Sequence, residues 1–135
     1  MAKKTLSDLP DVHSKRVLIR VDFNVPLDSA GNITNDRRIR AAIPTIKQVL
    51  DSGASAIVVS HLGRPKGDPK KDAPFRMDRV AERLRQLLGK PVSKVDEVIG
   101  PKVESAVAAL KPGEETCRDV LRGCPSLPVR RWPAW

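Results

Sequence analysis

The sequence has 135 residues, room for one domain, and a two-domain enzyme cannot be complete within it. Forty per cent apolar and thirty per cent charged residues describe an ordinary globular chain and exclude membrane and disordered classes. A formal net charge of +9 favours acidic ligands, phosphorylated metabolites or nucleic acid without choosing among them. Lys3, Lys4 and Asp8 leave no apolar stretch of a secretory signal near the start. The most apolar run, residues 56–59, is far short of the roughly 20 residues needed to span a bilayer, so a cytoplasmic location without membrane contact is expected.

In chain order, Arg16 to Val21 is a short β-branched run ended by Asp22-Phe23-Asn24-Val25-Pro26, and it reads as a first strand. A polar loop with a Gly31-Asn32 turn follows. Ile39, Ala42, Ile43, Ile46, Val49 and Leu50 then recur at helical spacing up to Gly53. Pro44 splits this stretch, because proline is favoured at a first helical position and costly inside a helix. The expectation is a short turn over 37–42 and a main helix from Pro44 to Ser52. Residues 54–60 give a second strand, apolar on both faces as in a parallel sheet. After a Gly-, Pro- and Lys-rich loop, Met77, Val80, Ala81, Leu84, Leu87 and Leu88 predict a helix stopped by Gly89. Pro91-Val92-Ser93 reads as a brief third strand. Val103, Ala106, Val107 and Leu110 predict a last helix opened by Pro101. Strand alternating with helix implies a parallel α/β layer.

Beyond Gly113 the composition changes. Residues 115–135 hold both cysteines, both tryptophans and four arginines but no lysine, whereas residues 1–114 hold eleven lysines. The tail has no helical or strand periodicity, and it reads as an irregular segment from a shifted frame or a fusion, with a genuine irregular tail as the alternative. Cys117 and Cys124 lack a CxxC spacing or a nearby histidine and read as plain thiols, with no metal site.

In an open parallel sheet, ligands bind beyond the carboxyl ends of the strands. The first strand delivers Asp22 and Asn24, two residues apart and on one side of an extended backbone, suited to a polyhydroxylated ligand or to an Asx turn. The second strand delivers His61-Leu62-Gly63-Arg64-Pro65, where Gly63 permits a close turn and Arg64 offers a planar fork for carboxylate or phosphate. His61 alone also fits a structural histidine, and Arg64 with Lys66, Lys70 and Lys71 a solvated loop face. Arg37, Arg38 and Arg40 stand at a helix start, where cations oppose the macrodipole unless an anion or the neighbouring Asp36 offsets them.

These residues fall into three ordered blocks. Residues 15–26, KRVLIRVDFNVP, are followed by 36–46, DRRIRAAIPTI, and by 60–67, SHLGRPKG. Together they resemble phosphoglycerate kinase over residues 1 to about 114, which the resemblance identifies as a partial N-terminal domain with an incomplete Rossmann-like parallel sheet and flanking helices. The family transfers a phosphoryl group reversibly between 1,3-bisphosphoglycerate and ADP, giving 3-phosphoglycerate and MgATP in glycolysis, commonly as a monomer. Its N-terminal domain binds the glycerate and its C-terminal domain the nucleotide. Carried over by motif, Asp22, Phe23, Asn24, Arg38, His61, Leu62, Gly63 and Arg64 are expected to bind substrate, with Arg38 catalytic at the transferring phosphoryl group.

The sequence departs from the family after Lys111-Pro112-Gly113-Glu114, where Glu115-Thr116-Cys117-Arg118-Asp119 replaces an apolar strand that carries a further substrate arginine. The glycine-rich nucleotide loops are also absent, so no MgATP or MgADP site and no turnover are expected of these residues alone. A nonfunctional truncated fragment is one alternative, and a basic phosphate- or nucleic-acid-binding module is another. The second is weakened by two Phe, two Trp and no Tyr as stacking platforms. Missing sheet neighbours are expected to expose Val17, Ile19, Ile57 and Val59 and to favour partial folding or aggregation.

Overall fold

A computed structural model describes residues 3–64, 68, 70–71, 73–95 and 100–111, and the backbone of 115–119. Strands β1 (Arg16–Arg20), β2 (Ser55–Ser60), β3 (Val92–Val95) and β4 (Glu115–Asp119) alternate with helices α1 (Arg37–Asp51), α2 (Asp78–Leu88) and α3 (Pro101–Ala108). The strands form one parallel sheet in the order β1-β2-β4-β3, with Arg16 opposite Ser55 and Arg20 opposite Val59. The α/β class expected from the alternation is therefore the class observed. Among the described residues, no helix is long and apolar enough to cross a membrane.

Two expectations are corrected. Arg37–Asp51 is one continuous helix with Pro44 inside it, not a turn followed by a helix from Pro44. Proline there removes a hydrogen bond and costs about 3 kcal/mol. Buried Ile39 lies before it and buried Ile46, Val49 and Leu50 after it. At about 1.5–3 kcal/mol per buried aliphatic side chain, anchoring on both sides outweighs the break.

The second correction concerns residues 115–119, read as part of an irregular tail. They form β4, paired on one side with β2 and on the other with β3. Strand preference depends on neighbours more than on the segment itself, and two flanking parallel strands offer a full set of ladder partners. Residues 120–135, including Cys124 and both tryptophans, lie outside the described residues.

The sheet divides the core in two. Ala56 and Val58 of β2 face α1 and α2, in a cluster with Phe23, Ile39, Ile46, Leu62, Met77, Val80 and Leu84. Val17 and Ile19, opposite Ala56 and Val58, are partly buried against the same cluster. Ile57, pointing the other way, packs with Val95, Val103 and Val107 of β3 and α3. Of the side chains expected to be left bare, Ile57 is buried and Val17, Ile19 and Val59 are half-buried. Leu18 of β1, beside Ile57, is by contrast exposed, 50% accessible.

Candidate functional site

The carboxyl ends of β1 and β2 emerge side by side, since the Val21 amide still donates to the Val59 carbonyl at 3.0 Å. Beyond that point the two loops are tied by side chains. The Phe23 amide donates to Ser60 Oγ at 2.8 Å, and the Gly63 amide donates to Asn24 Oδ1 at 2.9 Å. Asp22 Oδ1 accepts from the Asn24 amide at 3.1 Å, so the Asx turn considered from sequence is present alongside these ties. Its other oxygen, Oδ2, is 2.8 Å from Arg38 Nη1. Asp22, Asn24, Arg38 and Gly63 are thereby drawn to one edge of the sheet. His61 and Arg64 flank Gly63 on the same loop, with no side-chain hydrogen bond or ion pair to a described residue.

The sequence grouped Phe23 and Leu62 with the ligand contacts, and their side chains prove to be core. Phe23 is fully buried and Leu62 is 3% accessible. Only their backbones are left to meet a ligand, and the Phe23 amide is already taken by Ser60. Gly63 is needed for two reasons: its φ of 61° is left-handed, and a Cβ there would collide with the Phe75 ring.

The three arginines of α1 separate in space. Arg40 Nε lies 2.8 Å from Asp36 Oδ1, and Arg83 Nη2 of α2 lies 2.7 Å from Asp36 Oδ2. Asp36 offsets charge in this way but does not cap the helix with its side chain. Asn35 Oδ1 instead accepts from the Arg37 amide at 2.9 Å. Arg38 alone of the three reaches the strand ends. Its pair with Asp22 is exposed, with side chains 55% and 62% accessible. An exposed pair contributes only about 0–1 kcal/mol, so an incoming anion could draw Arg38 from Asp22 at little cost.

Hydrogen bonds from Arg40 and then Arg83 hold the Asp36 carboxyl below its ordinary value of 3.8. A carboxyl depressed by folding contributes stability that is present above its unfolded value and lost as pH falls through the folded one. Asp36→Asn is therefore expected to lower the thermal midpoint at pH 7. Its deficit against the parent chain should shrink below about pH 4, as calorimetric melts across pH would show. A deficit independent of pH would contradict the assignment.

Sequence reasoning missed Ser60 and Phe75 as parts of this site. Ser60 stood in a recognised block, and a hydroxyl closing an otherwise apolar strand was the available signal. Nothing local pointed to Phe75, which meets Gly63 only through the fold.

A family model described as phosphoglycerate kinase matches residues 6–122, reaching past the boundary near 114 drawn from sequence. The phosphoglycerate kinase of Moorella thermoacetica is 57% identical over 122 residues, covering 90% of this chain and 30% of the relative. The chloroplastic phosphoglycerate kinase of Chlamydomonas reinhardtii is 54% identical over 123 residues, covering 86% of this chain and 26% of the relative. The crystal structure of phosphoglycerate kinase from Pyrococcus horikoshii OT3 superposes with a TM-score of 0.74 at 30% identity, over 84% of this chain and 26% of that one. The structure of phosphoglycerate kinase from Coxiella burnetii gives 0.68 at 35% identity, with the same coverage. The chain thus spans about 30% of the length of the curated relatives it matches.

Proposed function

The chain belongs to the phosphoglycerate kinase family, and on that premise we propose that it carries part of the phosphoglycerate half of a cytoplasmic, monomeric enzyme of glycolysis. The reaction is reversible phosphoryl transfer between 1,3-bisphosphoglycerate and ADP, giving 3-phosphoglycerate and ATP. Asp22 and Asn24 hold the glycerate end, His61 and Arg64 meet its anionic groups, and Arg38 faces the transferring phosphoryl group. Phe23, Leu62 and Gly63 serve through backbone and packing.

The observation that carries this reading is the Asn24 Oδ1 to Gly63 amide bond, 2.9 Å long, which joins two separate family blocks at one sheet edge. That edge offers two loops to a single small molecule. Arg38 exchanges its exposed carboxylate partner for a phosphoryl oxygen. Fixed positive charge there stabilises charge that develops during transfer, which is the main task of a protein in phosphoryl transfer.

The donors gathered here do not fit a magnesium ion. Asp22 is bonded to an arginine and an amide, and among the described residues no group of three or more His, Cys, Asp or Glu could hold a metal. The seat of MgATP we assign to the family's other domain.

Titrating the 15N-labelled polypeptide with 3-phosphoglycerate is expected to shift the amides of Asp22, Asn24, His61 and Arg64, with no turnover in a coupled assay. Shifts confined to other surfaces would sink the reading. So would preference for an oligonucleotide with steep salt dependence, which would favour a nucleic-acid module.

A further inference from the structure

We infer that Ser60 is a positioning residue, whose buried hydroxyl sets the spacing between the Asp22–Asn24 loop and the His61–Arg64 loop. Ser60 is the last residue of β2, and it is one of two buried polar residues among those described. The other, Ser55, sits at the opposite end of the same strand and only approaches the Lys15 carbonyl at 3.5 Å. Ser60 is 3% accessible, so its hydroxyl cannot meet a ligand itself.

The bonding of that hydroxyl is directional. Its oxygen accepts the Phe23 amide at 2.8 Å, and its proton points to the His61 carbonyl at 3.4 Å. The parallel ladder between β1 and β2 ends with the Val21 amide on the Val59 carbonyl. Beyond it, Phe23 has no ladder partner, and Ser60 Oγ supplies an acceptor where the strands diverge. A buried amide left unpaired is costly, so the chain selects the one loop geometry that satisfies it. Phe23 lies between Asp22, which holds Arg38, and Asn24, which accepts the Gly63 amide. Fixing Phe23 on Ser60 therefore fixes both neighbours relative to His61 and Arg64.

This inference rests on the proposed site but has a readout that does not need it. In Ser60→Ala, the Gly63 amide resonance is expected to move and the Phe23 amide to exchange about tenfold faster or more, as loss of a buried acceptor implies. Amides of Val49 and Leu84 in the core should keep their protection. The dissociation constant for 3-phosphoglycerate should rise about tenfold, the loss that a displaced contact group implies. Ser60→Thr, which keeps the hydroxyl, should restore both. Ser60→Cys, close in size but a weak acceptor, decides the matter where the alanine variant does not fold.

An unmoved Gly63 resonance together with an unchanged dissociation constant would overturn the inference. Loss of protection spread equally over Val49 and Leu84 would overturn it too, by making Ser60 a plain stability residue. If the parent chain shows no response to 3-phosphoglycerate, the proposed site fails, and the positioning role is decided by the Gly63 and Phe23 amides alone.

Discussion

Replacing Arg38 with alanine is expected to lower kcat by about a thousandfold to a hundred-thousandfold, the range for an arginine that stabilises a transferring phosphoryl group. Because the chain spans about 30% of its relatives, the measurement calls for a chimera in which residues 1–111 replace the matching segment of the Moorella thermoacetica relative. Arg38 is singled out by geometry. Arg40 is held by Asp36, whereas Arg38 lies against Asp22 at the strand ends in an exposed pair that contributes little to folding. Loss of activity without loss of stability is therefore the expected signature. Arg38→Lys should recover little, since a point charge cannot reproduce a planar fork. Arg37→Ala is the control, because Arg37 is also exposed and neighbours Arg38 in sequence but has no side-chain tie to the strand ends. Equal effects of the Arg37 and Arg38 substitutions on kcat would remove Arg38 from its role.

The elements whose signals are local were legible in the sequence. The apolar run at 54–60 gave β2, and the stripe from Met77 to Leu88 with its glycine stop gave α2, whose end is marked by Gly89 at φ 64°. Pro101 opens α3 as its position suggested. The errors arose where distant residues decide the outcome. Pro44 is a strong local break, but Ile39 and Ile46 are held by core contacts that local reasoning cannot count. Residues 115–119 lack strand periodicity and become a strand because β2 and β3 lie on either side. Phe23 was carried over as a ligand contact with the motif that contains it, and its side chain is buried in the core. The motif marks the segment as a whole, whereas the burial of one side chain within it is decided by the core it meets.

Phe23→Ala is expected to destabilise the chain by about 3–5 kcal/mol, the usual cost of emptying a buried phenylalanine site. Phe23 is fully buried in the core cluster that also holds Val25, Ile39, Val58 and Leu62. Total stabilities of about 5–15 kcal/mol leave little margin. Phe23→Ala should then show a clearly lower urea midpoint, whereas Phe23→Leu should fold with a smaller loss. Urea unfolding followed by circular dichroism separates the two roles for this residue. If Phe23 touched substrate, the alanine variant would keep its urea midpoint and lose affinity. If Phe23 is core, the midpoint falls, while the molecules that remain folded bind 3-phosphoglycerate as the parent does, because Asp22, Arg38 and His61 keep their side chains.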